Sequence, residues 1–132
     1  HVLSAGYQEE KLENGEERTV LSIPAPLAPV KAAVLPLVKK DGLPEIAHRI
    51  KNTLRYDYNI QYDEKDSIGK RYRRQDAIGT PLCITIDHQS AEDGTVTVRD
   101  RDTMRQERVH IEAIPALVES KAGMRALLDK LA

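Results

Sequence analysis

Val30-Lys31-Ala32-Ala33-Val34-Leu35-Pro36-Leu37 is a nearly continuous apolar run. Such a run is expected of a central strand covered on both faces, and Pro36 argues that the strand is ending there. Asp41-Gly42 then turns the chain. Leu43, Ile46, Ala47, Ile50 and Leu54 fall at helical spacing, with Pro44 suited to a first turn and Glu45 favourable near its positive end. A short strand follows around Ile60-Gln61-Tyr62. Asp66 or Ser67 can cap a second helix, which Gly79-Thr80-Pro81 stops.

Further along, Leu82-Cys83-Ile84-Thr85-Ile86 reads as another buried strand. Glu92-Asp93-Gly94 is a hairpin signal, and Thr95 to Arg99 alternates polar and apolar residues as a strand does. Arg108 to Ile111 can be its antiparallel neighbour across a turn near Asp102-Thr103. Ile114, Leu117, Val118, Met124, Leu127, Leu128 and Leu131 recur on a helix face, with Gly123 as a break. The order is strand, helix, strand, helix, three strands, helix. That alternation predicts an open mixed sheet with helices packed on its faces.

Upstream of the first strand, Glu9 to Glu17 holds five glutamates against one lysine around Asn14-Gly15, which favours a solvated turn. Arg18 to Ile23 has a β-like composition. Pro24, Pro26 and Pro29 forbid a helix after it, so the stretch reads as an extended linker, with the domain proper starting near Ala28.

The 132 residues support one domain with a moderate core. Forty per cent hydrophobic and 31% charged residues describe an ordinary soluble globular protein. The core must be aliphatic, because the chain has no Phe or Trp. A single cysteine, Cys83, excludes an internal disulfide and fits a reducing compartment. No apolar run approaches the length that spans a bilayer, and no leader is expected. The first residue is His1 rather than Met, as expected of a piece cut from something longer.

The net charge of −1 conceals two local concentrations of arginine. Lys70, Arg71, Arg73 and Arg74 lie within five residues of the second helix. They cannot all share one face, so a basic solvated helix and an anion grip both remain open. Gly69-Lys70 does not make a phosphate loop, because the earlier glycine and the following Ser or Thr are missing. In the other segment, Val96 and Val98 share the covered face of the strand. Thr95, Thr97 and Arg99 then share the other face, and Arg101 continues the parity. That face is either a bed for a polyanion or unpaired bases, with Asp100 and Asp102 interleaved, or an Arg–Asp ladder on a solvated strand.

Catalytic chemistry has little support. The four histidines show no metal spacing and one cysteine cannot build a zinc site. Cys83 reads as a buried structural thiol. Asp87-His88 at a strand end lacks a nucleophile nearby. Tyr56, Tyr58, Tyr62 and Tyr72 offer stacking surfaces or, more commonly, core packing.

Ala28 to Leu37, Ser67-Ile-Gly-Lys-Arg-Tyr72, Asp76-Ala-Ile-Gly79, Ile84-Thr-Ile-Asp87 and Thr95-Val-Thr-Val-Arg-Asp-Arg-Asp-Thr-Met-Arg-Gln106 together resemble the C-terminal anticodon-binding domain of glycyl-tRNA synthetase, the dimeric class II type. The resemblance runs from about Arg18 to Val118. It implies a five-stranded mixed sheet flanked by three helices over residues 28–132. Residues 1–27 would then be the tail of a catalytic domain's last helix and a linker.

The class II motifs that bind ATP and glycine are missing, so the resemblance implies a non-catalytic part of a glycine–tRNA ligase. The parent enzyme would use ATP and Mg2+, act as a homodimer and work in the cytoplasm, with neither DNA nor a membrane as partner. The implied ligand is the anticodon of tRNA(Gly), whose second and third positions are cytosines. Asp100 or Asp102 would accept from a cytosine amino group and Arg99 or Arg101 would meet its acceptors. Arg105 and Gln106 would touch the loop, while Lys70, Arg71 and Arg74 would hold phosphates. A same-fold accessory domain that binds protein or nucleotide is the competing expectation.

Overall fold

The computed structural model describes residues 7–11, 17–21 and 25–122. Its centre is a five-stranded mixed sheet of β3 (Ala32–Pro36), β4 (Ile60–Tyr62), β5 (Leu82–Ile86), β6 (Thr95–Asp100) and β7 (Gln106–His110), in the order β4-β3-β5-β6-β7. β3 runs parallel to β4 and β5, whereas β5–β6 and β6–β7 are antiparallel. All five β3 residues are buried, as the apolar run requires. A separate antiparallel pair, β1 (Tyr7–Lys11) and β2 (Glu17–Leu21), precedes the sheet.

Strand parity separates two layers. Ala32, Val34, Ile84, Ile86, Val96 and Val98 face an aliphatic core. α1 (Leu43–Leu54) and α4 (Ile114–Ala122) complete that core through Leu43, Ala47, Ile50, Leu54, Ile114 and Val118. Ala33, Leu35 and Cys83 face the opposite way, against Ile68 and Tyr72 of α2 (Ile68–Ile78). This second layer is largely polar: α2 buries Arg71, Gln75 and Asp76 against the sheet. Gln75 closes part of it by donating to Gln61 Oε1 at 3.1 Å and accepting from Thr80 Oγ1 at 2.7 Å. The strand β2 runs alongside α2.

The helix ends follow the expected chemistry. Pro44 sits in the first turn of α1. Ser67, not Asp66, caps α2 by accepting from Lys70 N, and Gly79 ends it at φ +82°, a conformation glycine adopts without a Cβ clash.

Three features differ from the sequence-based expectation. Glu92-Asp93-Gly94 is not a hairpin turn but the end of a fourth helix, α3 (His88–Asp93). Asp87 and Ser90 form a capping box at its start, and Gly94 closes it at φ +71°. A short helix therefore connects the antiparallel neighbours β5 and β6. Over its described part the supposed helical tail before residue 11 is the strand β1. The proline-spaced stretch is not simply extended, because Ala25–Leu27 forms a 3-10 turn and Ala25 is buried. The turn around Asn14-Gly15, the break at Gly123 and the helical positions beyond it lie outside the described residues. No helix among the described residues is long and apolar enough to cross a membrane.

Candidate nucleic-acid interface

The β6–β7 turn is built by one carboxylate. Asp100 Oδ1 accepts from the backbone N–H groups of Asp102 (2.8 Å) and Thr103 (3.2 Å). Met104 N donates to Asp100 O, and Asp100 N donates to Arg105 O, which closes the turn from both sides. Lys121, in the last turn of α4, reaches across to Asp100 at 2.9 Å and to Asp102 at 3.5 Å. Burial opposes ionisation of Asp100, but Lys121 and the two N–H donors outweigh it and hold its pKa below the usual carboxylate value. Outside this rigid frame the side chains of Asp102, Thr103, Arg105, Gln106 and Glu107 stand exposed.

Beside the turn lies a cleft of about 640 Å³, a size typical of ligand sites. Leu82, Val98 and Leu117 line it with apolar surface. Asp100 and Glu107 supply carboxylates to it, while Arg105, Gln106 and Lys121 supply N–H donors. An apolar wall with both acceptors and donors suits a flat heterocycle that carries an amino group beside ring acceptors, as an unpaired cytosine does.

The structure brings Asp100, Arg105 and Gln106 together at this cleft, with Asp102 beside them at the turn. It turns Arg99 and Arg101 elsewhere. Arg99 lies on the α2 face, as the parity predicts, but α2 covers that face and leaves Arg99 only 5% exposed. Its two terminal nitrogens donate to Asp76 Oδ1 and Oδ2 at 2.9 and 3.1 Å, and its guanidinium lies 4.7 Å from the centre of the Tyr72 ring. Arg101 is equally buried, donating from Nη1 to Gly79 O at 2.8 Å and from Nε to Asp102 at 2.9 Å. Both arginines join β6 to α2 and its C-terminal cap. Neither presents a free guanidinium edge to the cleft.

The three cations expected to hold phosphates separate as well. Arg71 is 2% exposed and donates to the carbonyls of Pro36, Asp63 and Leu37 at 2.6, 3.1 and 3.3 Å, closing the end of β3. Arg74 is half-exposed but ties the β4–α2 loop together through Asp63, Asp66 and Lys65 O. Only Lys70 stands exposed without such a role in the loop. Lys70 and Arg74 lie in the α2 layer near the end of β3, whereas the cleft opens on the α1–α4 layer near the start of β5. Two sheet faces and opposite sheet ends separate them.

Other candidates resolve into structure. Burial pushes the Cys83 thiol up to about 12, which removes it as a nucleophile at neutral pH. Asp87 caps α3 and pairs with Arg108 at 2.5 Å, while His88 meets Asp41 at 3.0 Å. Tyr72 packs inside and bonds Thr85, Tyr62 stacks on His48, Tyr58 bonds Glu119, and Tyr56 stays exposed. Lys121, Glu107 and Leu117 line the cleft in addition to the site residues expected from the sequence. Glu107 directly follows the Thr95–Gln106 motif, and that adjacency is its signal; Lys121 and Leu117 arrive from α4 with no local mark of the cleft.

Residues 31–121 match the family of anticodon binding domains. The chain belongs to that family. This anticodon-binding domain is 57% identical over 115 residues to a glycine–tRNA ligase of Geobacillus kaustophilus, covering 87% of the chain and 25% of that protein. It is 50% identical over 123 residues to a glycine–tRNA ligase of Rhodopirellula baltica, covering 90% of the chain and 23% of that protein. The chain thus spans about a quarter of the length of the curated relatives it matches. Among solved structures, the RNA binding domain of threonyl-tRNA synthetase from Cryptosporidium parvum aligns with a TM-score of 0.67 and 25% identity, covering 76% of this chain and 25% of that one. A prolyl-tRNA synthetase from the same organism, complexed with L-proline and AMP, aligns with a TM-score of 0.68 and 20% identity, over 85% of this chain and 32% of that one, which shows the fold.

Proposed function

We propose that this domain holds the anticodon loop of tRNA(Gly) for a glycine–tRNA ligase, and that the β6–β7 turn and its cleft meet the anticodon bases. The observation that carries the reading is the cleft itself, an apolar wall flanked by Asp100, Glu107, Arg105, Gln106 and Lys121. Glu107 or Asp102 takes the amino group of a cytosine, and Arg105 or Gln106 meets its ring acceptors. Lys121 and Arg105 lie close enough to the turn to neutralise a phosphate as well. Arg99, Arg101 and Arg71 serve by holding the sheet and α2 together. RNA would reach Lys70 and Arg74 only by passing around the sheet. In this reading the parent enzyme is a homodimer that couples ATP, with Mg2+, to the joining of glycine to its tRNA, and that chemistry lies outside the present chain.

The test is a matched-salt titration of tRNA(Gly) and of a tRNA(Gly) with both anticodon cytosines replaced. Each replaced base should weaken binding by about 1–3 kcal/mol. Equal affinity for the two RNAs would refute anticodon reading and favour an accessory role for the same fold.

A further inference from the structure

Three residues other than glycine hold a left-handed backbone among the described residues: Asp41 (φ +62°), Asp66 (φ +67°) and Met104 (φ +59°). Aspartate tolerates this region because its short carboxylate can bond nearby backbone. Methionine has no such compensation, so its Cβ crowds the backbone in this conformation. The surrounding bonds over-determine the strain. Met104 N donates to Asp100 O, Arg105 N donates to Thr103 Oγ1 at 3.2 Å, and the Asp100 carboxylate binds the two preceding N–H groups. Met104 is also one of five exposed large apolar side chains among the described residues, at 40%. Its neighbours on either side, Thr103 and Arg105, line the cleft. A glycine or asparagine would form this turn at lower cost, so nothing in the turn itself requires a thioether here. Strain held at a rigid tip beside a binding cleft is the pattern of a residue positioned for a ligand.

We propose that Met104 is a base-contacting residue, presenting its polarisable thioether and methyl group to the face of an unpaired base in the bound RNA. The inference rests on the reading of this cleft as an RNA site and adds a stacking contact to it. The flat, electron-rich ring of a base is the partner that a flexible sulfur-bearing chain suits, and such contact is insensitive to base identity. The polar groups of the cleft then choose the base, and Met104 keeps it unstacked from its neighbours.

The chain contains two methionines, Met104 and Met124, so selective 13C-methyl labelling gives two signals, and Met104→Gly assigns them. Addition of tRNA(Gly) should move the Met104 methyl resonance upfield, as a ring placed over it demands. Met104→Gly should bind tRNA(Gly) roughly three- to tenfold more weakly. It should melt no lower than the parent chain, because glycine relieves the left-handed strain. A merely structural Met104 would give the reverse, lost stability with unchanged affinity. An unmoved methyl signal in the complex, or parent-like affinity of Met104→Gly, overturns the stacking role while discrimination for the cytosines stands. Loss of that discrimination in the parent chain instead overturns the RNA reading and the stacking role with it.

Discussion

Replacing Arg99 with alanine leaves the Asp76 carboxylate, which is fully buried, without its two guanidinium donors. Removing one partner of a buried pair costs about 3–5 kcal/mol, because the surviving charge keeps its desolvation penalty. The stacking of Arg99 on Tyr72 is lost as well, worth about 1 kcal/mol more. For a chain of 132 residues this lowers the melting temperature by roughly 10–25 °C. Circular dichroism melts of Arg99→Ala, Asp76→Ala and the double variant measure it. The double variant should be less destabilised than the sum of the singles by about 2 kcal/mol, the coupling of the pair. A base-reading Arg99 would behave otherwise: stability would hold and only RNA affinity would fall. Melting of Arg99→Ala within about 2 °C of the parent, the range of a surface change, would refute the reasoning.

Lys121→Ala removes a cation that is about a third exposed, so stability should change by less than about 1 kcal/mol, while the slope of log affinity against log salt for tRNA(Gly) becomes shallower by about 1. An unchanged slope would remove Lys121 from phosphate binding. Burial opposes the charge of Asp87, but Arg108 and the Ser90 N–H outweigh it and depress its pKa below 3.8. Its contribution is therefore complete above the ordinary carboxylate range and is lost as pH falls through the depressed value. Asp87→Asn should cost about 1 kcal/mol at pH 7 and progressively less towards pH 2, by urea titration at each pH; a gap that widened on acidification would contradict this sign. Cys83 should resist thiol reagents in the folded chain and react once urea unfolds it, since its thiol is buried and pushed up to about 12. Rapid labelling under native conditions would contradict that placement.

The elements that local chemistry specifies were legible in the residues. Pro44 and Glu45 started α1, Ser67 and Gly79 bounded α2, and the apolar runs at 32–36 and 82–86 became the two central strands. The α3 helix escapes a local reading because Glu92-Asp93-Gly94 reads equally as a hairpin and as a helix end. The capping pair Asp87 and Ser90, three residues apart, was the signal that separates them. Strand parity placed Arg99 on the correct face but could not say what lay over it. A helix that buries Arg71, Gln75 and Asp76 carries no apolar stripe to announce a core-facing side. The cleft had the same difficulty in reverse: Asp100, Arg105 and Gln106 were found in the motif, but the closing Lys121 comes from another layer through contacts that no local spacing encodes.

Amide hydrogen exchange of the chain with and without tRNA(Gly) tests the location of the interface directly. The account predicts new protection at Asp102–Glu107 and at the end of α4 around Lys121, with the start of α2 around Lys70 unchanged. Protection confined to α2, with the β6–β7 turn exchanging as in the free chain, would contradict it.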